Sequence, residues 1–437
     1  MLHIAYVIVA VAAAEAAPGL TLEAAVGMAV ARHERAQMAD EDLAIAEARL
    51  AAARTYFFPS LTAAGTYTRR ANEVDTTLPS GEHVIIRRHN ALAGALSLRT
   101  TLFDATSIPL YRQALREREA VRLGAAEAKR VLAFDAAAAF LSVLGSERVR
   151  DAAGRRREFA RQSVADAQAR FKAQLVGSND VTRTTLELAQ AEVALVEAQR
   201  TVDTQYLQLG QLLVQPVQPP LAVPVALFEE AETAPAVDAS LADIARRRRL
   251  DARSLSRHVE ALRQGAMEPS LRLIPSLGAE AQIYGGNEPG FGGRRLDAFG
   301  AATLTWTLFD RGLRYAQRAE REAALRRGRL EQSVLGRQIG TDLASAAVSL
   351  HRTRELLTQA RAAAAAAERN AQETQALYRE GLAGGLAVED ASVRQFDAQV
   401  RLTQQQFDLA AAFLGLRAAG GLDPLGREPA ADAGETE

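Results

Sequence analysis

Histidine, cysteine and clustered acidic residues most often bind metals or act in catalysis, and this sequence offers no usable arrangement of them. The chain has six histidines and no cysteine, which excludes disulfides, thiolate zinc sites and cysteine nucleophiles. Only two histidines are near each other, in a predicted loop, and none has metal-ligand spacing. They are His3, His33, His83, His89, His258 and His351. We therefore expect no metal, no cofactor and no enzymatic activity.

Two other local patterns could indicate ligand binding. Gly290-Phe291-Gly292 resembles a phosphate-binding loop, but it lacks a preceding buried strand and a following helix, so a flexible loop is the better interpretation. The arginine run 246–249 could contact nucleic acid, yet Asp243 and Asp251 flank it, as on a solvated helix surface. The net charge is only -1. We therefore expect no nucleic-acid partner.

Composition favours helices. The hydrophobic fraction is 48%, but aromatic residues make up only 5%, and alanine and leucine supply most of the apolar surface. Residues 1–17 contain a short apolar run followed by small residues, which predicts a cleaved signal peptide. An ordinary helix or a misplaced start is the alternative. No other stretch approaches about 18 uninterrupted apolar residues, the length of a transmembrane helix.

The chain contains an internal repeat. Pro59-Ser60-Leu61 precedes Leu102-Phe103-Asp104, and Pro275-Ser276-Leu277 precedes Leu308-Phe309-Asp310 at a similar spacing. A proline-rich segment separates the two copies and reads as a linker, because proline ends helices. The predicted division is a signal peptide at 1–17, a first repeat at 18–215, a linker at 216–237, a second repeat at 238–419, and a tail at 420–437 that we expect to be disordered.

Each repeat predicts the order helix, strand, loop, strand, long helix, turn, helix. The first helix, 21–57, has a seven-residue apolar spacing typical of a coiled coil, with Leu22, Ala29, Ala36, Leu43 and Leu50 in the pattern. The long helix after Asp104 covers about 70 residues, or about 105 Å, and the two shorter helices of that repeat, 21–57 and 178–213, together match its length. In the second repeat, helices at about 238–267 and 386–417 likewise match a long helix at 310–380. Such helices predict a long tube or rod rather than a globular domain.

Four segments alternate with a period of two: 61–70, 91–103, 277–284 and 297–309. Apolar residues on one side and polar residues on the other are typical of membrane barrel strands, whereas a soluble hairpin domain is the alternative. Four strands cannot close a barrel, so the membrane interpretation requires several chains to share one. The lipid-facing set would be Leu92, Leu96, Leu98, Leu304, Trp306 and Leu308.

The repeated halves, the strand pairs between Pro-Ser-Leu and Leu-Phe-Asp, and the helix turn Phe171-Lys172-Ala173-Gln174-Leu175-Val176-Gly177-Ser178 together resemble the TolC family of outer-membrane efflux proteins. The resemblance covers residues 20–421. It implies a mainly helical homotrimer, with a transmembrane β-barrel of twelve strands drawn from three chains and a periplasmic α-barrel of paired helices.

The resemblance also implies functional sites. The turns where a periplasmic adaptor would dock are Leu175, Val176, Gly177 and Ser178 in the first repeat and Leu382, Ala383, Gly384 and Gly385 in the second. Asp180 and Asp390 would form acidic rings at a pore constriction. The sequence departs from the pattern at Ala387, the counterpart of Asp180, and at Gln174, the counterpart of Gly381. Alternatively, the turns contact nothing, and Asp180 is simply a negative charge near a helix start.

The predicted function is therefore a passive export channel in the outer membrane that extends into the periplasm. It would belong to a tripartite efflux or type I secretion system, with an adaptor and an inner-membrane RND or ABC transporter as partners. A soluble coiled-coil scaffold or tether is the alternative. Extraction as a conducting trimer would favour the channel, and recovery as a soluble monomer would favour the scaffold.

Overall fold

The computed structural model describes residues 19–77, 79–235, 240–288 and 294–428. The predicted signal peptide lies outside these residues. Two compact units are present, and each takes residues from both repeats, so the units cut across the predicted division of the chain. The helical unit comprises the described parts of Met1–Ala39, Ala126–Leu250 and Arg337–Glu437. The sheet unit comprises those of Asp40–Ala125 and Asp251–Gly336.

Helices dominate the described chain, and two of them are very long. The helices are α1 Leu22–Arg32, α2 Glu34–Arg54, α3 Ser107–Lys172, α4 Ser178–Leu213, α5 Val225–Thr233, α6 Ser240–Arg248, α7 Leu250–Gly265, α8 Glu268–Leu271, α9 Leu313–Arg379 and α10 Gly385–Ala419. Within the described residues, no helix has a stretch apolar enough and long enough to cross a bilayer. The long helices predicted after Asp104 and Asp310 correspond to α3, with 66 residues, and α9, with 67 residues.

The first predicted helix, 21–57, is interrupted at His33. This residue has extended backbone angles, φ -70° and ψ 139°, and its Nδ1 accepts a hydrogen bond from the backbone N–H of Arg35 at 3.1 Å. A side-chain acceptor at this place satisfies an N–H that the start of α2 leaves without a helical partner. The helix predicted at 238–267 is also interrupted, between α6 and α7 at Arg249. Both breaks correct the prediction of continuous helices.

Small side chains and a few large ones fill the core of the helical unit. Phe140, Leu209 and Leu409 are almost completely buried, and Ala136 and Ala410 have no exposed surface. They belong to α3, α4 and α10, so the core joins helices from both repeats. Alanine at such contacts allows helix axes to approach closely, which explains a core with few aromatic residues.

The proline-rich segment is more than a linker, because it contains helix α5. Leu227 and Ala231 of this helix are buried in the core of the helical unit. Arg354 donates hydrogen bonds to the carbonyl oxygens of Ala231 at 2.9 Å and Ala234 at 3.1 Å, which stabilises the end of α5. The sequence predicts a linker at 216–237, because the prolines around α5 obscure its helical signal.

The predicted disorder of the C-terminal tail does not hold for residues 420–428. Arg130 donates to the Leu422 carbonyl at 2.9 Å, Arg417 donates to the Pro424 carbonyl at 2.7 Å, and Arg427 pairs with Glu23 at 2.6 Å. These charged hydrogen bonds stabilise a turn that composition alone marks as loop. Residues 429–437 lie outside the described chain.

The sheet unit contains a four-stranded antiparallel sheet in the order β1-β4-β5-β6 and a separate two-stranded hairpin. The strands are β1 Ser60–Arg69, β2 Val74–Thr77, β3 His83–Arg87, β4 Asn90–Phe103, β5 Ser276–Gly286 and β6 Leu296–Thr305. The four predicted strands are present, and β4 pairs with β5 to join the two repeats. The loop predicted between the first two strands contains the hairpin β2–β3 instead of irregular chain alone.

Strand β6 ends at Thr305, so the prediction that Trp306 and Leu308 belong to the strand is wrong. Arg314 donates to the carbonyl oxygen of Thr307 at 2.9 Å, and the indole Nε1 of Trp306 donates to the Leu273 carbonyl at 3.1 Å. These hydrogen bonds occur where the backbone pairing between β5 and β6 has ended. The alternation of residue types continues past the strand end, which is why the sequence placed the boundary too late.

Candidate functional site

The strand register sorts the sheet into one apolar and one polar face. Leu61 is opposite Leu98, Leu96 is opposite Ile283, and Leu277 is opposite Leu304, so large apolar side chains share a face across all four strands. We call this the apolar face; its large residues are Leu61, Tyr67, Leu92, Leu96, Leu98, Phe103, Leu277, Ile283, Leu296 and Leu304. The opposite, polar face carries Thr62, Thr66, Ser97, Arg99, Glu280, Gln282, Thr303 and Thr305.

No other part of the described chain covers the apolar face. Leu61 and Leu304 are each 66% exposed, and Leu92 is 58% exposed. Each Å² of such surface left in water costs about 25 cal/mol relative to an apolar medium. On the polar face, Arg99 and Glu280 form an ion pair at 2.9 Å. The predicted segregation of apolar and polar residues is present in the register. It leaves a large apolar surface that no described residue outside the sheet covers.

The sheet also has two open edges. Strands β1 and β6 each pair on one side only, and every residue of both strands is exposed. All three pairings in the sheet are antiparallel, so β1 and β6 run in opposite directions. Because each edge presents unpaired backbone donors and acceptors, the β6 edge of one chain could pair antiparallel with the β1 edge of another.

In the helical unit, the turns α3–α4 and α9–α10 have the same backbone geometry. The N–H of Leu175 donates to the Arg170 carbonyl at 2.9 Å, and the N–H of Leu382 donates to the Leu377 carbonyl at 2.8 Å. Just before these leucines, Gln174 and Gly381 have φ values of 60° and 77°. This hydrogen-bond pattern ends a helix with one residue in the left-handed region, a position that favours glycine. Gln174 therefore adopts the conformation of its glycine counterpart despite the strain.

The tips of the two turns are accessible. Leu175 and Leu382 are 74% and 75% exposed. Of the remaining predicted docking residues, Gly177, Ser178 and Gly384 are exposed, whereas Val176, Ala383 and Gly385 are half-buried. The turns are neighbours, because the Arg170 guanidinium stacks on the Tyr378 ring at 4.2 Å and donates to the Tyr378 carbonyl at 3.3 Å. Together they present two exposed leucines on one end of the helical unit.

Behind the tips, charged side chains form a network that the sequence did not predict. Arg183 lies 2.7 Å from Glu389 and 3.6 Å from Asp180, so it joins the starts of α4 and α10. Nearby, Arg156 pairs with the buried Glu187 at 2.7 Å. Asp180 is thus half-buried and paired within this network.

Asp390, by contrast, is exposed and pairs with Arg394 on its own helix at 3.0 Å. The structure therefore does not bring the two predicted acids, Asp180 and Asp390, to the same ion pair. A comparison of the two repeats could have drawn attention to Arg183. Aligning Gln174 with Gly381 makes Arg183 the repeat counterpart of Asp390, an exchange of charge at matched positions.

Burial raises the pKa of Glu389, although the neighbouring Arg183 opposes the shift and Glu187 adds to it. The Glu389 carboxylate lies in a pocket between α3, α4, α9 and α10. Phe159, Thr184, Tyr378 and Val388 are among the residues that line this pocket. This half-buried carboxylate is held by one arginine, and an ion pair in such a place is stronger than one on an open surface.

Comparison with known proteins defines the fold. A scan of protein-family models and a search of curated proteins both find no match. Solved structures match almost the whole chain. CusC superposes with a TM-score of 0.78 at 13% identity over 92% of each chain. The open state of the Neisseria gonorrhoeae MtrE outer membrane channel gives 0.78 at 16% identity, over 93% of this chain and 90% of that one.

The outer membrane protein VceC of Vibrio cholerae gives a TM-score of 0.73 at 17% identity, over 92% of this chain and 96% of that one. The chain has the TolC-like fold. The predicted fold class of long helices with a four-stranded sheet is thereby confirmed. In this TolC-like chain, the apolar face, the two sheet edges and the paired helix turns are the candidate functional surfaces.

Replacing Gln174 of the TolC-like chain with glycine should stabilise it. A non-glycine residue in the left-handed region costs about 1 kcal/mol, and Gln174→Gly removes that strain. The matched change Gly381→Gln should destabilise the chain by a similar amount. Urea unfolding of the detergent-solubilised protein, followed by circular dichroism, measures both changes. A loss of stability in Gln174→Gly would contradict the strain argument.

Glu389 should make stability fall as pH rises. Its folded-state pKa is above the unfolded value, so the folded chain binds the proton more tightly, and stability is lost between the ordinary glutamate pKa and the raised one. The difference in unfolding free energy between the unmodified protein and Glu389→Gln should therefore decrease with rising pH across this window. The decrease should be larger in an Arg183→Gln background. A difference that rises with pH would show that the ion pair outweighs burial.

Proposed function

We propose that this chain is a subunit of an outer-membrane channel, a passive duct in a tripartite efflux or type I secretion system. The observation that carries the proposal is the combination of an exposed apolar face with two open edges in one sheet. Water does not favour the apolar face, and hydrocarbon does not tolerate open edges. Both problems disappear when several copies share one closed barrel in the outer membrane.

The strand directions support such an assembly. If β6 of one copy pairs with β1 of the next, the new pairing is antiparallel, like the three within the chain. The strands are long enough, since β1 and β6 have 10 residues each and a tilted strand needs about 9–11 to cross a bilayer. The edges require more than one copy, and the TolC-like fold suggests a homotrimer with twelve strands.

In this assembly, the apolar face meets outer-membrane lipid. Leu92, Leu96, Leu98 and Leu304 would contact the acyl chains, because they share the apolar face. Trp306 and Leu308 lie beyond the end of β6 and are 59% and 72% exposed, so we place them near the membrane–water boundary. Indole rings with a polar N–H favour that boundary. The polar face, with Arg99 and Glu280, would line a water-filled lumen.

At the other functional surface, we propose that the helix turns form the periplasmic end of the channel. The exposed Leu175 and Leu382, with the neighbouring residues 176–178 and 383–385, would receive the helical hairpins of a periplasmic adaptor. Three copies would turn Asp180 and Asp390 into rings of carboxylates at a constriction, favouring cations. An inner-membrane RND or ABC transporter would supply energy and select the cargo, so the channel itself carries out no reaction.

The direct test is conductance. The full chain, extracted with detergent from outer membranes and added to planar bilayers, should run as a trimer and give stepwise ionic currents. Cross-linking should report three copies, because open β6 and β1 edges pair between chains. A soluble monomer that gives no current in the bilayer would contradict the proposal and favour the coiled-coil scaffold.

Neighbouring residues on opposite faces provide a matched test of the membrane orientation. An arginine facing lipid near the bilayer centre costs about 2–4 kcal/mol, so Leu96→Arg should strongly reduce insertion into outer membranes. Ser97→Arg introduces the same side chain one residue later on the polar face and should be tolerated. Heat-resistant trimers in membrane fractions measure insertion. Equal loss in both variants would contradict the assigned faces.

A further inference from the structure

The two ends of the four-stranded sheet have different chemistry. Where β1 and β5 begin and β4 and β6 end, the exposed side chains are aromatic. Phe58 is 66% exposed, Trp306 is 59% exposed and Phe309 is 80% exposed. At the opposite end, one pair of arginines lies where β1 ends, a second pair precedes β4 and a third precedes β6. We call them the arginine band: Arg69, Arg70, Arg87, Arg88, Arg294 and Arg295.

Hydrogen bonds between the two repeats hold this end of the sheet together. Glu288 accepts hydrogen bonds from the Arg70 guanidinium and, at 2.5 Å, from the backbone N–H of Arg88. The Asn287 side chain bonds the Asn90 carbonyl and the Leu92 N–H, each at 2.9 Å. Hydrogen bonds from Arg70 and from the Arg88 N–H hold the pKa of Glu288 below its usual range. The Glu288 carboxylate therefore neutralises the Arg70 guanidinium and holds Arg70 and Arg88 close to the end of β5.

Four arginines of the band remain available for another partner. Arg69, Arg87, Arg294 and Arg295 are exposed, and none forms an ion pair with an acid in the described part of the chain.

The nearby acids are fewer than the arginines. They are Glu73, Asp75, Glu288 and Asp297. Of these, Glu288 is held by Arg70, and Asp297 accepts hydrogen bonds from the Tyr284 hydroxyl and the Ala298 N–H. The band therefore keeps a net positive charge at the edge of the apolar face.

The position of Arg69 distinguishes a lipid partner from a dissolved anion. Arg69 is in register with Leu61 and Tyr67 of β1, so it belongs to the apolar face and not to the polar face. Next to the band, Ile85 and Ile86 are 38% and 50% exposed. Guanidinium groups beside apolar side chains suit the boundary where acyl chains meet charged headgroups. A dissolved anion would gain nothing from the apolar neighbours.

We propose that the arginine band binds the phosphate groups of anionic lipids in the leaflet around this end of the sheet. The planar guanidinium can donate two parallel hydrogen bonds to phosphate, which a neutral aromatic belt cannot provide. The aromatic end then meets the opposite boundary, where ring side chains without charge are sufficient. This inference rests on the proposed membrane channel and adds a lipid preference with a fixed orientation.

The test measures lipid selectivity of the assembled full chain. The trimer is reconstituted in phosphatidylcholine vesicles with spin-labelled phosphatidylglycerol or spin-labelled phosphatidylcholine, and electron paramagnetic resonance gives the fraction of each lipid held by the protein. The unmodified protein should prefer phosphatidylglycerol by about fivefold or more, as about 1 kcal/mol per arginine at a charged surface implies. No preference for the anionic lipid in a conducting trimer would overturn the inference while leaving the channel proposal intact.

Variants distinguish the effect of the arginine band on lipid selectivity from the effect of the protein's total charge. Glutamine is introduced at the four available band positions, Arg69, Arg87, Arg294 and Arg295. The matched control carries glutamine at four exposed helical arginines, Arg148, Arg200, Arg326 and Arg329. The preference should disappear in the band variant and persist in the control. A lysine replacement of the same four band residues preserves charge and should retain most of the selectivity. Equal selectivity in the band variant and the control would overturn the assignment.

A final arm distinguishes lipid phosphate from free phosphate. Inorganic phosphate should reduce the selectivity no more than sodium chloride of equal ionic strength, because both act only by screening. Stronger displacement by phosphate would show a site for dissolved anions and overturn the lipid assignment. Failure of the unmodified protein to insert into vesicles would instead count against the channel itself.

Discussion

The constraint on which the rest of this structure depends is that one sheet combines an uncovered apolar face with two unpaired edges. A soluble protein normally covers such a face with helices and protects such edges with charge or proline. Here β1 and β6 are exposed along their whole length, and Leu61 and Leu304 at their ends are two-thirds exposed. Backbone pairing and apolar burial both remain incomplete in one copy. The proposed barrel of several copies would complete both.

Register is what makes the apolar face possible. A shift of one residue between β4 and β5 would move Ile283 away from Leu96 and place Gln282 beside it. That pairing joins the two repeats, so each repeat alone supplies only a hairpin, and a two-stranded hairpin is marginal in isolation. The duplication gives two hairpins with matching alternation, and the β4–β5 pairing turns them into one sheet with a single apolar side.

Much of this architecture was predictable because its signals are local and repeated. Helix α4 has the predicted bounds, and β1, β4 and β5 begin within one residue of the alternating segments. The break at His33 was missed because it depends on a side-chain Nδ1 that accepts the Arg35 N–H, and histidine is not a usual helix-capping residue. The end of β6 was misplaced because Arg314, beyond the alternating segment, binds the Thr307 carbonyl. Composition marked residues 420–428 as loop and could not show the distant partners, Arg130 and Glu23, that hold them.

The helix turns show how two diverged repeats can meet without repulsion. Their backbones are alike, as the left-handed Gln174 and Gly381 show, and the turns are close enough for Arg170 to stack on Tyr378. Like charges at matched positions of adjacent helix starts would repel each other in a partly dry site. Instead, Arg183 in the first repeat corresponds to Asp390 in the second, and Arg183 reaches Glu389, the residue next to Asp390. Arg183 thus forms an ion pair with Glu389 of the other repeat, whereas Asp390, its own repeat counterpart, pairs with Arg394. The sequence contained both charges, but only the spatial proximity of the two turns shows that they belong to one network.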